Sequence, residues 1–247
     1  MKIALLGYGK MGKAVEKIAL AKGHEIVYKV SLENAFDFMP ISLQNVDVAI
    51  DFSMPDAAVE NINKCFEAKV PLVIGTTGWY DQFDEIKSRC LTEQQSMVYS
   101  TNFSVGVNIF FKLNKILAKM MAELEDYDVM IEEIHHTEKK DHPSGTALTL
   151  VNQILAESKI KDSYKGRLIY NENTPSQSLK PNELLIESKR VADVTGDHFV
   201  KYESMIDGIE IRHVAKSRYG FAKGAVMAAE WLIGKKGIYT MEDILKL

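Results

Sequence analysis

The chain has little cysteine, no surplus of positive charge and no long apolar run. Its two cysteines among 247 residues, Cys65 and Cys90, make neither a disulfide framework nor a spaced metal set, as expected in a reducing compartment. Thirty Lys+Arg against 34 Asp+Glu leave a formal net charge of −4, so no basic surplus recruits nucleic acid. The longest apolar stretch, Ala225 to Gly234, is interrupted by Glu230 and is too short to span a bilayer. Ile3 to Leu6, which precede Gly7, are too few for a secretory signal. No internal repeat or low-complexity tract occurs. What is present, 46% hydrophobic and 26% charged residues, suffices for a buried core. The expectation is a cytoplasmic globular protein with neither nucleic-acid nor membrane partner.

The first hundred residues alternate strand-like and helix-like blocks. β-prone runs at Lys2–Leu6, Glu25–Val30, Val46–Phe52, Val70–Ile74 and Met97–Thr101 are separated by helical spacing at Met11, Ala14, Val15, Ile18 and Ala19, at Pro55–Ala68 and at Asp81–Gln94. Strands alternating with helices predict a Rossmann-like, doubly wound parallel sheet. Beyond about residue 105 the order changes to a helix at Val107–Ala122, a strand at Asp128–His135 and a helix at Ser144–Ser158. A polar stretch over 161–182 reads as a long surface loop, and strands follow at Glu183–Val191, His198–Glu203 and Ile209–Val214. That predicts an α+β domain with a mixed sheet over 105–215. The apolar helix Phe221–Ile233 would return to the first domain, so 1–104 and 216–247 form a dinucleotide-binding domain and 105–215 a substrate-binding and oligomerisation domain.

Gly7-Tyr8-Gly9-Lys10-Met11-Gly12 spells G-x-G-x-x-G between the first strand and the first helix. Gly7 permits the tight turn, Gly9 lets a pyrophosphate approach the backbone, and Gly12 allows close helix–strand packing. The helix N-terminus adds free N–H groups and partial positive charge. The carboxylate that an NAD-selective site carries at the end of the second strand is missing. Ser31 cannot chelate a ribose diol, and Lys29 could tolerate a 2′-phosphate. Gly75-Thr76-Thr77-Gly78 and Thr101-Asn102-Phe103-Ser104 follow the fourth and fifth strands, at the carboxyl edge where such sheets bind ligands, although ordinary turn chemistry also uses these residues.

Glu133 to Ala147 is the richest stretch. Three of the chain's six histidines, His135, His136 and His142, fall within positions 135–142. Adjacent histidines at a strand end point to opposite sides, so His135 and His136 have separate roles. Lys139 supplies a cation, and Ser144-Gly145-Thr146 opens a helix with Ser144 as N-cap. Together these would hold a small dianion beside a proton donor. A zinc reading of His135 or His136 with His142 and Asp141 lacks a helical H-x-x-x-H or cysteine pair, so no metal is expected. His24, His198 and His213 read as structural.

With these segments in view the sequence resembles the 4-hydroxy-tetrahydrodipicolinate (dihydrodipicolinate) reductase family, nearly end to end. The likeness rests on the fingerprint at 7–12, V-D-V-A-I-D-F-S at 46–53, G-T-T-G at 75–78 and N-F-S-V-G-V-N at 102–108. It rests above all on H-H-x-x-K-x-D-x-P-S-G-T-A at 135–147, with A-K-S-R-Y-G-F-A-K-G-A at 215–225. The resemblance implies reduction of a cyclic imine dicarboxylate to tetrahydrodipicolinate by NADPH or NADH, in lysine and diaminopimelate biosynthesis. By motif position it makes His135 the proton donor and Lys139 a second donor that also grips a carboxylate. His136 and the Gly145 and Thr146 amides would bind the substrate's carboxylates. Gly7, Tyr8, Gly9, Lys10 and Met11, then Gly75, Thr76 and Thr77, then Thr101, Asn102, Phe103 and Ser104 would bind the cofactor. It also implies a homotetramer.

The chain departs from the family in four places. The fingerprint is one residue shorter than in many members, and the 31–45 connection is short. Ser31 stands where many members have an acid, and Ala192 where glycine is common. Two rivals share the first domain: a different small-molecule dehydrogenase, and a non-catalytic NAD(P) sensor. Neither would need the His-His-Lys loop beside a helix N-terminus.

Overall fold

The computed structural model describes residues 1–169, 178–217 and 219–247. The chain divides into two compact units, Met1–Val105 with Tyr219–Leu247, and Gly106–Arg218.

In the first unit β1 (Lys2–Leu6), α1 (Lys10–Ala21), β2 (Glu25–Val30), β3 (Val48–Asp51), α2 (Pro55–Glu67), β4 (Leu72–Ile74), α3 (Phe83–Thr92) and β5 (Ser96–Tyr99) follow one another as the hydrophobic spacing predicts. The 31–45 connection contains two short 3-10 turns, Ala35–Asp37 and Pro40–Leu43. Alternation along β1 sends Ile3 and Leu5 to one face, against Val15 and Ile18 of α1, and Ala4 and Leu6 to the other, against Ile62 and Phe66 of α2.

In the second unit α4 (Val105–Met121, its first residue in the other unit), β6 (Asp128–His135), α5 (Gly145–Glu157), β7 (Ser163–Ile169), β8 (Glu183–Arg190), β9 (Asp197–Glu203) and β10 (Gly208–Val214) come next. The sheet has the order β10-β9-β6-β8-β7, with β8 parallel to β6 and β7, and β9 antiparallel to β6 and β10. It is mixed, as expected. α4 and α5 cover one face, burying Phe110, Leu150 and Ile154 against Ile131, Ile186 and Val200. The reading of 161–182 as one loop is corrected: Ser163–Ile169 is a strand paired to β8, and 170–177 lie outside the described residues.

The chain then returns to the first unit through α6 (Tyr219–Leu232), β11 (Gly237–Tyr239) and α7 (Met241–Leu245). Ala225, Val226 and Ala229 of α6 complete the core on the α1 side. The first sheet is wholly parallel, with order β11-β5-β4-β3-β1-β2. β2 and β3 flank β1 on opposite sides, which creates the switch point where ligands bind in such sheets.

Candidate active site

In the first unit a cleft of about 550 Å³ opens at the carboxyl ends of β1, β2 and β3, with Gly7, Tyr8, Gly9, Ser31, Ser53, Asn61 and Lys64 among its walls. Gly7 has φ +91°, and a Cβ there would lie 2.2 Å from the Phe52 carbonyl oxygen. A Cβ on Gly12 would lie 2.4 Å from the Gly7 carbonyl oxygen. Both glycines are therefore required by the turn and its packing. A Cβ on Gly9, by contrast, would meet nothing within 4 Å, and Gly9 is the N-cap of α1 with no side chain to satisfy the first-turn N–H groups. An open backbone beside uncapped donors fits a pyrophosphate.

Not every residue expected at a cofactor faces that cleft. Lys10 and Met11 lie outside its walls, and Met11 packs on the core. The Tyr8 hydroxyl donates to Glu16, and Lys29 Nζ sits 2.5 Å from Glu16 and 4.7 Å from the Tyr8 ring centre. The Lys29 hydrogen bond holds the Glu16 carboxyl below its usual range, and the same bond holds the Lys29 ammonium above its own. Lys29 is thus already paired with Glu16, while Lys13 and Lys64 are the cations that line the cleft. Ser31 is braced by Asn34, whose Oδ1 accepts from the Ser31 amide at 2.7 Å.

Thr76 is buried, and its hydroxyl donates to Asp51 at 2.6 Å. Asp51, fully buried at the end of β3, also accepts from the Ser53 amide and hydroxyl and from Asn61 Nδ2, each at 2.8 Å. Burial pushes the Asp51 carboxyl up, and these hydrogen bonds oppose it only in part. Thr77 and Thr101 are exposed. The Gly75 amide is spent on the Asp51 carbonyl at 2.9 Å, and the Ser104 amide on Asn102 Oδ1 at 2.9 Å. Phe103 is a core residue, its ring edge-on to Phe52.

In the second unit the alternation of β6 buries Val129, Ile131, Glu133 and His135 on one side. Register places Glu133 opposite His198 on β9 and Ser188 on β8. Its wholly buried carboxylate accepts from Ser188 Oγ at 2.6 Å and from the Ser144 amide at 3.0 Å, and lies 3.4 Å from His135 Nε2 and 3.5 Å from His198 Nε2. Burial works to raise the Glu133 carboxyl, but the facing imidazoles of His135 and His198 and the hydrogen bonds from Ser144 and Ser188 outweigh it and hold the group ionised. Burial lowers His198, with Glu133 opposing, so that imidazole is neutral.

Ser144 caps α5 by accepting from the Ala147 amide at 3.2 Å, and its hydroxyl lies 3.1 Å from His198 Nε2. Gly145 is exposed, and a Cβ there would meet nothing within 4 Å, while the first-turn amides of Gly145 and Thr146 have no acceptor within the helix itself. Lys139 Nζ donates to both Asp141 oxygens at 2.8 and 2.7 Å. Arg190 pins this loop through the Lys139 and Asp141 carbonyls, at 3.0 and 2.8 Å. His135 is buried and His136 half-buried. His135, Lys139 and the α5 N-terminus thus belong to one unit.

The metal set considered from the sequence does not assemble among the described residues. The ligand-bearing cluster is instead Glu133, His135 and His198, whose donor atoms lie within 4.8 Å of one another. His198, read as structural, is buried within this cluster beside Glu133 and Ser144. Glu133, Ser188, Arg190 and Asp51 were missed. Only Glu133 left a sequence signal, lying two residues before His135 on a strand and hence on its face.

Residues 1–103 match the family described as dihydrodipicolinate reductase, N-terminus, and residues 106–245 its C-terminus counterpart. The latter match includes α6, β11 and α7, which fold with the first unit. A 4-hydroxy-tetrahydrodipicolinate reductase of Christiangramia forsetii is 49% identical, covering 99% of this chain and 98% of the relative. One of Methanosarcina barkeri is 40% identical over 97% and 83%. Among solved structures, a dipicolinate-bound dihydrodipicolinate reductase from Paenisporosarcina sp. TG-14 superposes with TM-score 0.76 at 21% identity, over 99% of both chains. An amine dehydrogenase from Mycobacterium smegmatis shares the fold with TM-score 0.62 at 12% identity, over 96% and 94%. The chain belongs to the dihydrodipicolinate reductase family.

Proposed function

We propose that His135 and Lys139 carry the proton chemistry of this reductase. As a family member the chain catalyses the NAD(P)H-dependent reduction of 4-hydroxy-tetrahydrodipicolinate to tetrahydrodipicolinate, a step of lysine and diaminopimelate biosynthesis. The observation that supports the assignment is the buried, ionised Glu133 beside His135, in the unit that also holds Lys139 and the open α5 N-terminus. When bound, the nicotinamide supplies the hydride. The Gly145 and Thr146 amides and His136 hold the substrate's carboxylates, and Lys139 exchanges its Asp141 partner for one of them. Gripping both ends fixes the ring, and His135 delivers a proton to the carbon adjoining the reduced one.

Gly7, Tyr8 and Gly9 line the nucleotide cleft. Thr76 supports it from beneath through Asp51. We assign the first unit to the dinucleotide and the second to the substrate. The second also presents apolar side chains, Ile109, Leu113, Ile116 and Met120 on α4 and Ile209 on the edge strand β10, which suit a homotetramer. No helix among the described residues is long and apolar enough to cross a membrane. A cytoplasmic location is part of the proposal, as are the absence of a resident metal and of a nucleic-acid partner.

Steady-state loss of 340 nm absorbance, with substrate made in situ from pyruvate and aspartate semialdehyde, tests the residue roles. His135→Gln should lower kcat by about two to four powers of ten at little change in KM. Lys139→Met, which leaves a substrate carboxylate unpaired, should lower kcat and raise KM together. Near-normal turnover in both variants would sink the assignment.

A further inference from the structure

We propose that Glu133 is a positioning residue that selects which nitrogen of His135 delivers the proton. The inference rests on His135 being the donor. The Nε2 atom of His135 is shut from solvent and closes no hydrogen bond among the described residues, and the group it faces, 3.4 Å away, is the Glu133 carboxylate, close enough for a small turn of the ring to complete the bond. A buried carboxylate facing one ring nitrogen keeps the hydrogen there. Nδ1 is then the nitrogen that gives its proton up. On that edge of the ring stands the bare α-carbon of Gly196: a Cβ there would lie 2.9 Å from Cε1 and 3.1 Å from Nδ1. The side chain is 11% exposed although Nε2 is not, so its access to solvent belongs to the rest of the ring and its methylene.

Glu133 does not act on His135 alone. Through the Ser144 amide it fixes the start of α5, whose next two amides face the substrate's carboxylates in the proposed site. One carboxylate therefore sets both the donor and the anion cradle. His198 completes the arrangement. Its ring stands edge-on to that of His135, with centroids 5.1 Å apart, and being neutral it adds no second cation against the imidazolium. The groups around the carboxylate are thus His135 on its own strand, His198 on β9, Ser188 on β8 and Ser144 at the head of α5.

The proton step then balances as follows. The Nδ1–H bond of the imidazolium breaks, the electron pair of the substrate's enamine carbon takes that proton to form a C–H bond, and the other hydrogen stays on Nε2, facing Glu133. A proton taken up from bulk solvent recharges Nδ1 before the next turnover, which accounts for the one proton the reduction consumes. Neutral His135 should accordingly be the Nε2–H tautomer.

Two measurements test this. Long-range proton–nitrogen correlation spectra of the wild-type chain, labelled with ¹⁵N-histidine and assigned by the signal lost in His135→Gln, should show Nε2–H at alkaline pH. An Nδ1–H pattern overturns the proposal without any variant of Glu133 having to fold. Glu133→Gln, with kcat normalised to NADPH-binding sites, should lose about a hundredfold or more in kcat while the NADPH Kd stays within about twofold. Turnover near wild type in folded Glu133→Gln, when His135→Gln is inactive, overturns the proposal but leaves His135 as donor. Near-normal turnover in His135→Gln would instead remove the reading beneath it.

Discussion

Thr76→Val separates two roles that the G-T-T-G turn could play. Valine keeps the volume and removes the hydroxyl that donates to Asp51 at 2.6 Å. It also removes an acceptor of the Ser53 amide, at 2.8 Å, although that amide keeps Asp51 Oδ1 at the same distance. A hydrogen bond to a charged group is worth about 1.5–3 kcal/mol, and the lost partner here is buried. A loss of about 2 kcal/mol should lower the unfolding midpoint by roughly 4–8 °C in a chain of this size. The loss should depend on pH. The Asp51 carboxyl titrates above its unfolded value, so its contribution is full below the unfolded value and is lost as pH rises through the folded one. Removing a bond that opposes this rise widens the window, and the variant should be hurt more at pH 8 than at pH 5. Differential scanning calorimetry at both values, with NADPH titrated by fluorescence, provides the assay. A midpoint within about 1 °C of wild type, together with weaker NADPH binding, would mean that Thr76 touches cofactor directly and that the Asp51 argument is wrong.

NADPH should be accepted at least as well as NADH, because Ser31 carries no carboxylate. An NADH preference beyond about a hundredfold, roughly 2.7 kcal/mol, would contradict this. Since Lys29 is engaged by Glu16 and Lys13 lines the cleft, Lys13→Ala should lower NADPH affinity about threefold relative to NADH, and titrations with both cofactors would reveal an unchanged ratio. Gly196→Ala, whose Cβ would crowd the His135 ring from a backbone φ of +154°, should reduce kcat about tenfold or more with the NADPH Kd preserved. Wild-type kcat in that variant would show that the ring has room to move.

The sequence made most elements visible because their burial is periodic. The helical spacing of Val15, Ile18 and Ala19 marks α1, and the fold buries all three. β7 escaped for the opposite reason. Ser163–Ile169 is an edge strand with no wholly buried residue, so its polar composition carries no inward stripe and reads as loop. β11, three half-buried residues on the other sheet's edge, left no signal either. His135, Lys139 and the Ser144 cap were legible because they lie within one short segment. His198 and Ser188 were not, since only the register of three strands sets them beside Glu133.

That register also explains why two buried carboxylates, one in each unit, behave oppositely. Asp51 is surrounded by hydroxyls and amides, which can donate but bear no charge, and burial wins: the carboxyl is pushed up. Glu133 has comparable donors in Ser144 and Ser188 but adds two imidazoles, one of which takes a proton in the proposed cycle, and the balance reverses. The pH signs follow. Asp51 contributes stability that is lost as pH rises, whereas Glu133, depressed below its unfolded value, contributes stability that is lost as pH falls through the carboxylate range. A buried acid with uncharged partners serves as a brace for a turn. One set between imidazoles remains ionised, and an ionised carboxylate is what a proton donor needs behind it.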